Sequence, residues 1–343
     1  MDLCSGSLWK KIFVYSVPLM FTNILQVLFN MSDVAVVGKF AGPIALGAVG
    51  STSILVTLFT GILLGLASGV NALTALHIGS KDDEGVKRTV HTAVIICLAG
   101  GILITVFGIL FSHNILALMN TKDELIDGAV LYLRIYLLGM PALGLYNFGN
   151  AVLSAAGDTK RPLYYLAFAG VVNVILNLFF VIVCHLGVAG VALASMISQF
   201  ISAFLILRAL LTGKEKYCLR LSEIRFDKRK AVGILQIGIP SAFQYSLFAI
   251  ANLFVQSSVN SFDHILVEGI GIQLLIGGLD LYLRLLHPLL VQLAHGVIGV
   301  DGRHAVPELL ALLQKYGAQA ITQLKPEQLG AFATELRGLG AKL

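Results

Sequence analysis

Asp33 is the only carboxylate placed well inside an apolar stretch of this chain, and no lysine or arginine lies within reach on the same helix. Burying an ionised carboxylate in a low-dielectric helix bundle costs several kcal/mol, so such residues are rare and usually functional. Desolvation favours the neutral acid, which can take a proton from one side and release it when a cation or a conformational change arrives. Gln26, Asn30 and Asp33 fall at i, i+4 and i+7, on one helical face. Asn173 and Asn177 are four apart on a later stretch, again on one face, and an amide there can bond a protonated acid or offer its oxygen to a cation. Tyr132, Tyr136, Tyr146, Asn147 and Asn150 share a fourth stretch and could line a cavity for flat cations, or form an interfacial belt with ordinary packing.

Other chemistries find no footing. His264, His287, His295 and His304 match no paired-ligand spacing, and no metal site is expected. Neither a nucleophile elbow, a phosphate loop nor a dinucleotide fingerprint is present; Gly269-Ile270-Gly271 lacks both the preceding strand and the following spacing. Cys4, Cys97, Cys184 and Cys218 are scattered at neither redox nor zinc spacing. The chain reads as no enzyme and needs no cofactor.

The elements that must position Asp33 are membrane helices. Of 343 residues, 57% are hydrophobic and 13% charged, against about 25% charged in soluble domains. The apolar blocks are long enough to cross a hydrocarbon core of about 30 Å. Spans are expected at about 12–37, 46–72, 89–112, 129–152, 162–184, 187–211 and 231–260, give or take a few residues at each end. Pro18, Pro141 and Pro240 should bend spans rather than end them. The fold class is thus all-α, a polytopic bundle in a lipid bilayer. No cleavable leader is read in Met1 to Lys11.

Basic residues alternate between sides. Lys10, Lys11, Lys81, Lys87, Arg88, Lys160, Arg161 and the 212–230 linker fall on one side; Lys39, Lys122 and Arg134 are all the other holds. The positive-inside rule puts the N-terminus in the cytoplasm of a cell whose plasma membrane holds the chain. That asymmetry explains the net charge of +5 without nucleic acid. Pro18, Phe21, Leu25 and Asn30 recur as Pro240, Phe243, Leu247 and Asn252 at identical offsets, a parallel repeat beginning anew at the seventh span. From 263 to 343 the character changes: Asp263, Glu268, Asp280 and Arg284 interrupt the apolar part, and helices opening at Pro307 and Pro326 read as soluble.

Several stretches together resemble the multidrug and toxic compound extrusion (MATE) family: Ser16-Val17-Pro18, Asn30-Met31-Ser32-Asp33-Val34, Ala45 to Gly50, Gly157 to Pro162, Asn173 to Asn177, Leu186 to Gly190 and Gly238-Ile239-Pro240. The resemblance covers about the first 262 residues and implies two six-helix lobes around a cavity open alternately to either side, with protons or sodium exchanged for amphiphilic, often cationic compounds. On that likeness, 1–211 is a first lobe, 212–230 a basic cytoplasmic linker, 231–262 the first helix of an incomplete second lobe, and 263–343 a tail unrelated to the family. The likeness aligns Asp33 with the family's first-helix aspartate and Asn173, Asn177 and Ser195 with its cation-coupling cluster, where Asn177 replaces an aspartate. Asp33, Asn30, Asn173, Asn177 and Ser195 are therefore the expected coupling residues, and Gln26, Tyr136, Asn147 and Asn150 the expected cavity lining.

The leading expectation is a proton- or sodium-coupled multidrug antiporter, in a truncated or chimeric form that transports poorly by itself. A lipid-linked precursor flippase would want several basic residues in its cavity, and only Arg134 is near a span. A retinal pump needs a lysine in the seventh span, which has none between 231 and 260. A membrane anchor presenting the tail to a partner is the remaining class.

Overall fold

The computed structural model describes residues 8–213, 215 and 217–259; the expected tail helices and its histidines lie outside them. Eight α-helices follow one another among the described residues, with no strand: α1 Leu8–Phe40, α2 Pro43–Gly79, α3 Asp83–Leu118, α4 Asp123–Leu137, α5 Met140–Ala155, α6 Lys160–Leu178, α7 Gly187–Thr212 and α8 Lys228–Val259. A π-helical turn, Phe179–Val183, extends α6, and a 3₁₀ turn, Leu221–Glu223, precedes α8. The bundle is all-α and polytopic. Among the described residues, five helices are long and apolar enough to cross a bilayer, and α4 with α5, taken as one bent span, makes a sixth. α8, 32 residues long, runs through the stretch where the seventh span is expected.

The fourth span departs from expectation: it is broken, not bent within one helix. α4 and α5 meet at 45° across Leu138–Gly139. Pro141 has no N–H to offer the Leu137 carbonyl and so leaves that oxygen free. Thr105 Oγ1 on α3 donates to it at 2.6 Å while also reaching the Gly101 carbonyl at 3.0 Å. Pro18 and Pro240, by contrast, lie inside continuous helices.

Two apolar clusters fill the bundle. One gathers Val37, Val49, Leu133, Leu137, Val181 and Val191 toward the end where α1 meets α2. The other gathers Val70, Val90, Tyr146, Phe148, Ile206 and Ile234 toward the opposite end. Leu103, Phe107 and Leu110 on α3, with Phe168, Val171 and Ile175 on α6, form exposed apolar stripes at helical spacing. In a bilayer such stripes face lipid tails without cost.

The most extensive helix pair is α2 with α8. Gly65 and Gly69 make it possible. A Cβ at Gly65 would lie 2.2 Å from the Ala242 backbone, and one at Gly69 would lie 2.2 Å from the Ile234 carbonyl. Small residues four apart let two backbones approach in this way, which is how helices associate where no hydrophobic drive exists.

The 212–230 linker is docked, not free. Leu219 N donates to the Leu210 carbonyl at 3.0 Å, and Leu219 and Cys218 are buried. Buried His91 of α3 bridges outward: its Nδ1 meets the Lys87 carbonyl at 2.7 Å and its Nε2 accepts from Arg220 N at 3.1 Å. Lys87 pairs with Glu223, and Asp227 N donates to Thr92 Oγ1 at 3.1 Å. At the start of α8, Lys230 Nζ contacts His77 Nε2 at 2.7 Å, and His77 Nδ1 faces Asp82 Oδ2 at 3.0 Å.

Candidate coupling site

Four helices converge on Asp33, which is only 1% exposed. From α6, Asn177 Nδ2 donates to Asp33 Oδ1 at 2.8 Å. From α7, Ser195 Oγ donates to Asp33 Oδ2 at 2.5 Å. From α4, the Tyr132 hydroxyl donates to the same Oδ2 at 3.3 Å. Asn173, one turn before Asn177, locks the ring: it accepts from Asn177 Nδ2 at 3.2 Å and donates through Nδ2 to Ser195 Oγ at 3.1 Å. Asp33, Asn177, Asn173 and Ser195 thus form a closed hydrogen-bonded circuit.

The local sequence explains the convergence. Asn173 and Asn177 are i and i+4 on α6, so their amides stack along one face. Ala192, Ala194 and Gly190 keep the α7 backbone near α6, where a short serine suffices to reach the acid. All three donors to Asp33 are neutral. A hydrogen bond to a charged group is worth about 1.5–3 kcal/mol net, so three of them offset much of the burial cost without a counter-charge.

One acceptor is left over. Asn177 Oδ1 is buried without a hydrogen-bond partner, on an amide whose nitrogen already bonds the Asp33 carboxylate and the Asn173 oxygen. Carboxylate and amide oxygens are the ligands that hard cations prefer. Among the described residues, no cluster of three or more His, Cys, Asp or Glu side chains is spaced to hold a metal ion.

The other expected residues are disposed differently. Asn30 and Gln26 are part-buried on α1, one and two turns before Asp33, and the bonds to the carboxylate come from elsewhere. Tyr136 is buried and stacked on Tyr132, with ring centroids 5.8 Å apart. Asn147 is 1% exposed, and both its side-chain polar atoms lack partners. Asn150 Oδ1 accepts from Ser154 Oγ at 3.2 Å.

Tyr132, one of the grouped aromatics, could not be tied to the acid from sequence, because it lies 99 positions away along the chain. Its recurrence at i, i+4 with Tyr136 is the signal that was available.

Residues 18–179 match the MatE family model. A probable multidrug resistance protein of Bacillus subtilis, YpnP, is 31% identical over 271 residues, which is 79% of this chain and 60% of that protein. The probable multidrug resistance protein NorM of Thermotoga maritima is 25% identical over 244 residues, 70% of this chain and 52% of its own length. The chain thus spans about half to three fifths of the length of these curated relatives. A multidrug resistance MATE family transporter of the MOP superfamily, solved in an inward-facing conformation, superposes with a TM-score of 0.67 at 24% identity. That match covers 74% of this chain and 60% of the solved one.

Proposed function

The chain carries a MatE domain at residues 18–179, and from that premise we propose that it acts in cation-coupled antiport, exporting amphiphilic and often cationic compounds, with Asp33 as the carrier of the coupling ion. The ion is a proton or sodium. The observation that carries this reading is the carboxylate itself: buried, bonded by three neutral donors and adjoined by a spare amide oxygen.

Two hydroxyls donate to Asp33 Oδ2 at once. Only an ionised oxygen accepts both comfortably. A proton on Oδ2 turns that atom into a donor, so Tyr132 or Ser195 must turn away and the tie between α1, α4 and α7 loosens. A sodium ion would do the reverse, drawing Asp33 and the Asn177 and Asn173 oxygens together. Either ion changes which helix packing is favoured, and linkage makes its binding and the compound's binding mutually dependent. Substitution of the family's second acid by Asn177 leaves one titratable group in the circuit, which limits coupling to a single charge at this site. The N-terminus is assigned to the cytoplasm by its basic loops, in a plasma membrane.

The test is exchange in proteoliposomes. Release of a fluorescent planar organic cation should depend on an imposed proton or sodium gradient, and Asp33→Asn should abolish that dependence. Gradient-driven release that survives Asp33→Asn removes Asp33 from the carrier role. Comparing the two gradients identifies the ion.

A further inference from the structure

Arg134 is the one basic residue of α4, and it stands on the exposed face of that helix. α4 packs against α2, α3 and α7. What it leaves uncovered is a stripe of Asp127, Leu131, Arg134 and Leu138, three or four residues apart. Exposed Leu131 and Leu138 bracket the guanidinium, and Phe107, Leu110 and Phe111 are exposed on neighbouring α3.

The side chain is held in place. Arg134 Nε donates to Ser112 Oγ of α3 at 3.0 Å. Ser112 is fully buried and gives its own hydroxyl proton to the Ile109 carbonyl at 3.2 Å, so Arg134 meets a lone pair that is already oriented. The two Nη groups keep their N–H donors, and among the described residues no carboxylate pairs with them. Asp127, two turns earlier on the same stripe, does not reach Arg134. A cation at membrane depth ordinarily pairs with a neighbouring side chain or a backbone carbonyl, and this one is turned to the lipid side instead.

α3 fixes the depth. Residues 92–111 carry no acidic side chain, lysine or arginine and are long enough to cross a hydrocarbon core of about 30 Å. Ser112, His113 and Asn114 follow directly. Arg134 therefore meets α3 at the rim of the hydrocarbon, where lipid phosphates begin. Side chains on a helix lean toward its N-terminus, and α4 starts at this end of the bundle, so Arg134 leans toward the headgroups.

We propose that Arg134, set by Ser112, binds the phosphate of a membrane phospholipid whose acyl chains lie along Leu131, Leu138 and Phe107. A guanidinium grips two phosphate oxygens at once, and with Nε taken by Ser112 the Nη groups supply the fork. Charge selects the phosphate; the exposed apolar stripe selects a lipid over a free ion. The inference is independent of the role given to Asp33.

The experiment reads lipid preference at this spot. In the full chain Trp9, the sole tryptophan, is replaced by Phe, Leu131→Trp supplies the reporter, and the protein is reconstituted in bilayers of varied composition. Quenching by phosphatidylglycerol brominated in its acyl chains is compared with quenching by digalactosyl diacylglycerol brominated in the same way, which has no phosphate. With Arg134 present the phospholipid should be favoured about tenfold, the size of one charge-assisted contact. Arg134→Gln should bring the ratio close to one. Ser112→Ala, which keeps the charge and removes its support, should lower the ratio part of the way. Lys39→Gln removes a basic residue from the same end and should leave the ratio unchanged. Equal quenching by the two lipids with Arg134 present, or a ratio that survives Arg134→Gln, overturns the proposal. An equal fall in Lys39→Gln also overturns it, by assigning the preference to diffuse charge. Displacement of the phospholipid by millimolar inorganic phosphate overturns it as well, because the site would then take a free anion. If Arg134→Gln does not reconstitute, Arg134→Lys decides: a point charge without the fork should lose most of the preference, and full preference in that variant overturns the proposal.

Discussion

Thr105 Oγ1 reaches across from α3 to the Leu137 carbonyl at 2.6 Å, filling the place that the missing N–H of Pro141 leaves empty. In a bilayer no water reaches such an oxygen, and an unpaired carbonyl costs about 1–3 kcal/mol. Thr105→Val, which keeps the shape and removes the donor, should lower the melting temperature in detergent. Thr105→Ser should preserve it. Equal melting of the Val and Ser variants would mean that the break does not need this bond.

Close packing of α8 on α2 makes a sharper demand. No side chain fits at Gly65 unless α8 moves, because the added atom would meet the Ala242 backbone. Overpacking of this kind costs about 1–3 kcal/mol, and Gly65→Leu should fall at the upper end. Gly50 is the control: nothing lies within 4 Å of a Cβ built there. Gly50→Ala should hold or raise stability by up to about 1 kcal/mol through helix propensity. The readouts are thermal unfolding and the protease sensitivity of the 217–227 segment, which only Gly65→Leu should increase.

At the basic end of the bundle, pH enters through Asp82. Its carboxylate accepts the Gly85 N–H at 2.9 Å, and that bond, with His77 and Lys230 nearby, holds it below its usual 3.8. A depressed folded value means that the stabilisation is present above the unfolded value and is lost as pH falls through the folded one. The gap in melting temperature between wild type and Asp82→Ala should therefore be widest near neutrality and close below about pH 4. A gap as wide at pH 3 as at neutrality would assign the effect to packing and not to the charge.

How much of this could be read from sequence depended on rarity. Asp33 stood out because an acid inside an apolar span is uncommon, and Asn173 with Asn177 because their spacing sets both on one face. What joins them is tertiary: Asn177 is 144 positions from Asp33 and Ser195 is 162, distances at which no periodicity speaks. Tyr136 and Asn147 looked like cavity lining because aromatic and amide side chains suit flat cations, yet both are packed inside. The break at Gly139 was hidden because Pro141 alone is compatible with a gentle bend. Whether the break forms depends on Thr105 and Gly101 on α3. The basic linker was read by charge alone, so its anchoring through His91 and Leu219 left no trace in the pattern.

Orientation can be checked with the thiols. Cys184 is exposed just after the π-helical turn, at the end of the bundle opposite Asp82, while Cys97 and Cys218 are buried. The basic-loop rule assigns the Cys184 end to the outside. In intact cells carrying Cys4→Ser, a membrane-impermeant maleimide should label the chain, and Cys184→Ser should remove that labelling. The signal at Cys97 should stay absent even after the membrane is opened, since a thiol buried in the apolar cluster meets no reagent. Labelling of Cys184 that requires permeabilisation would reverse the assigned topology and place the basic linker outside.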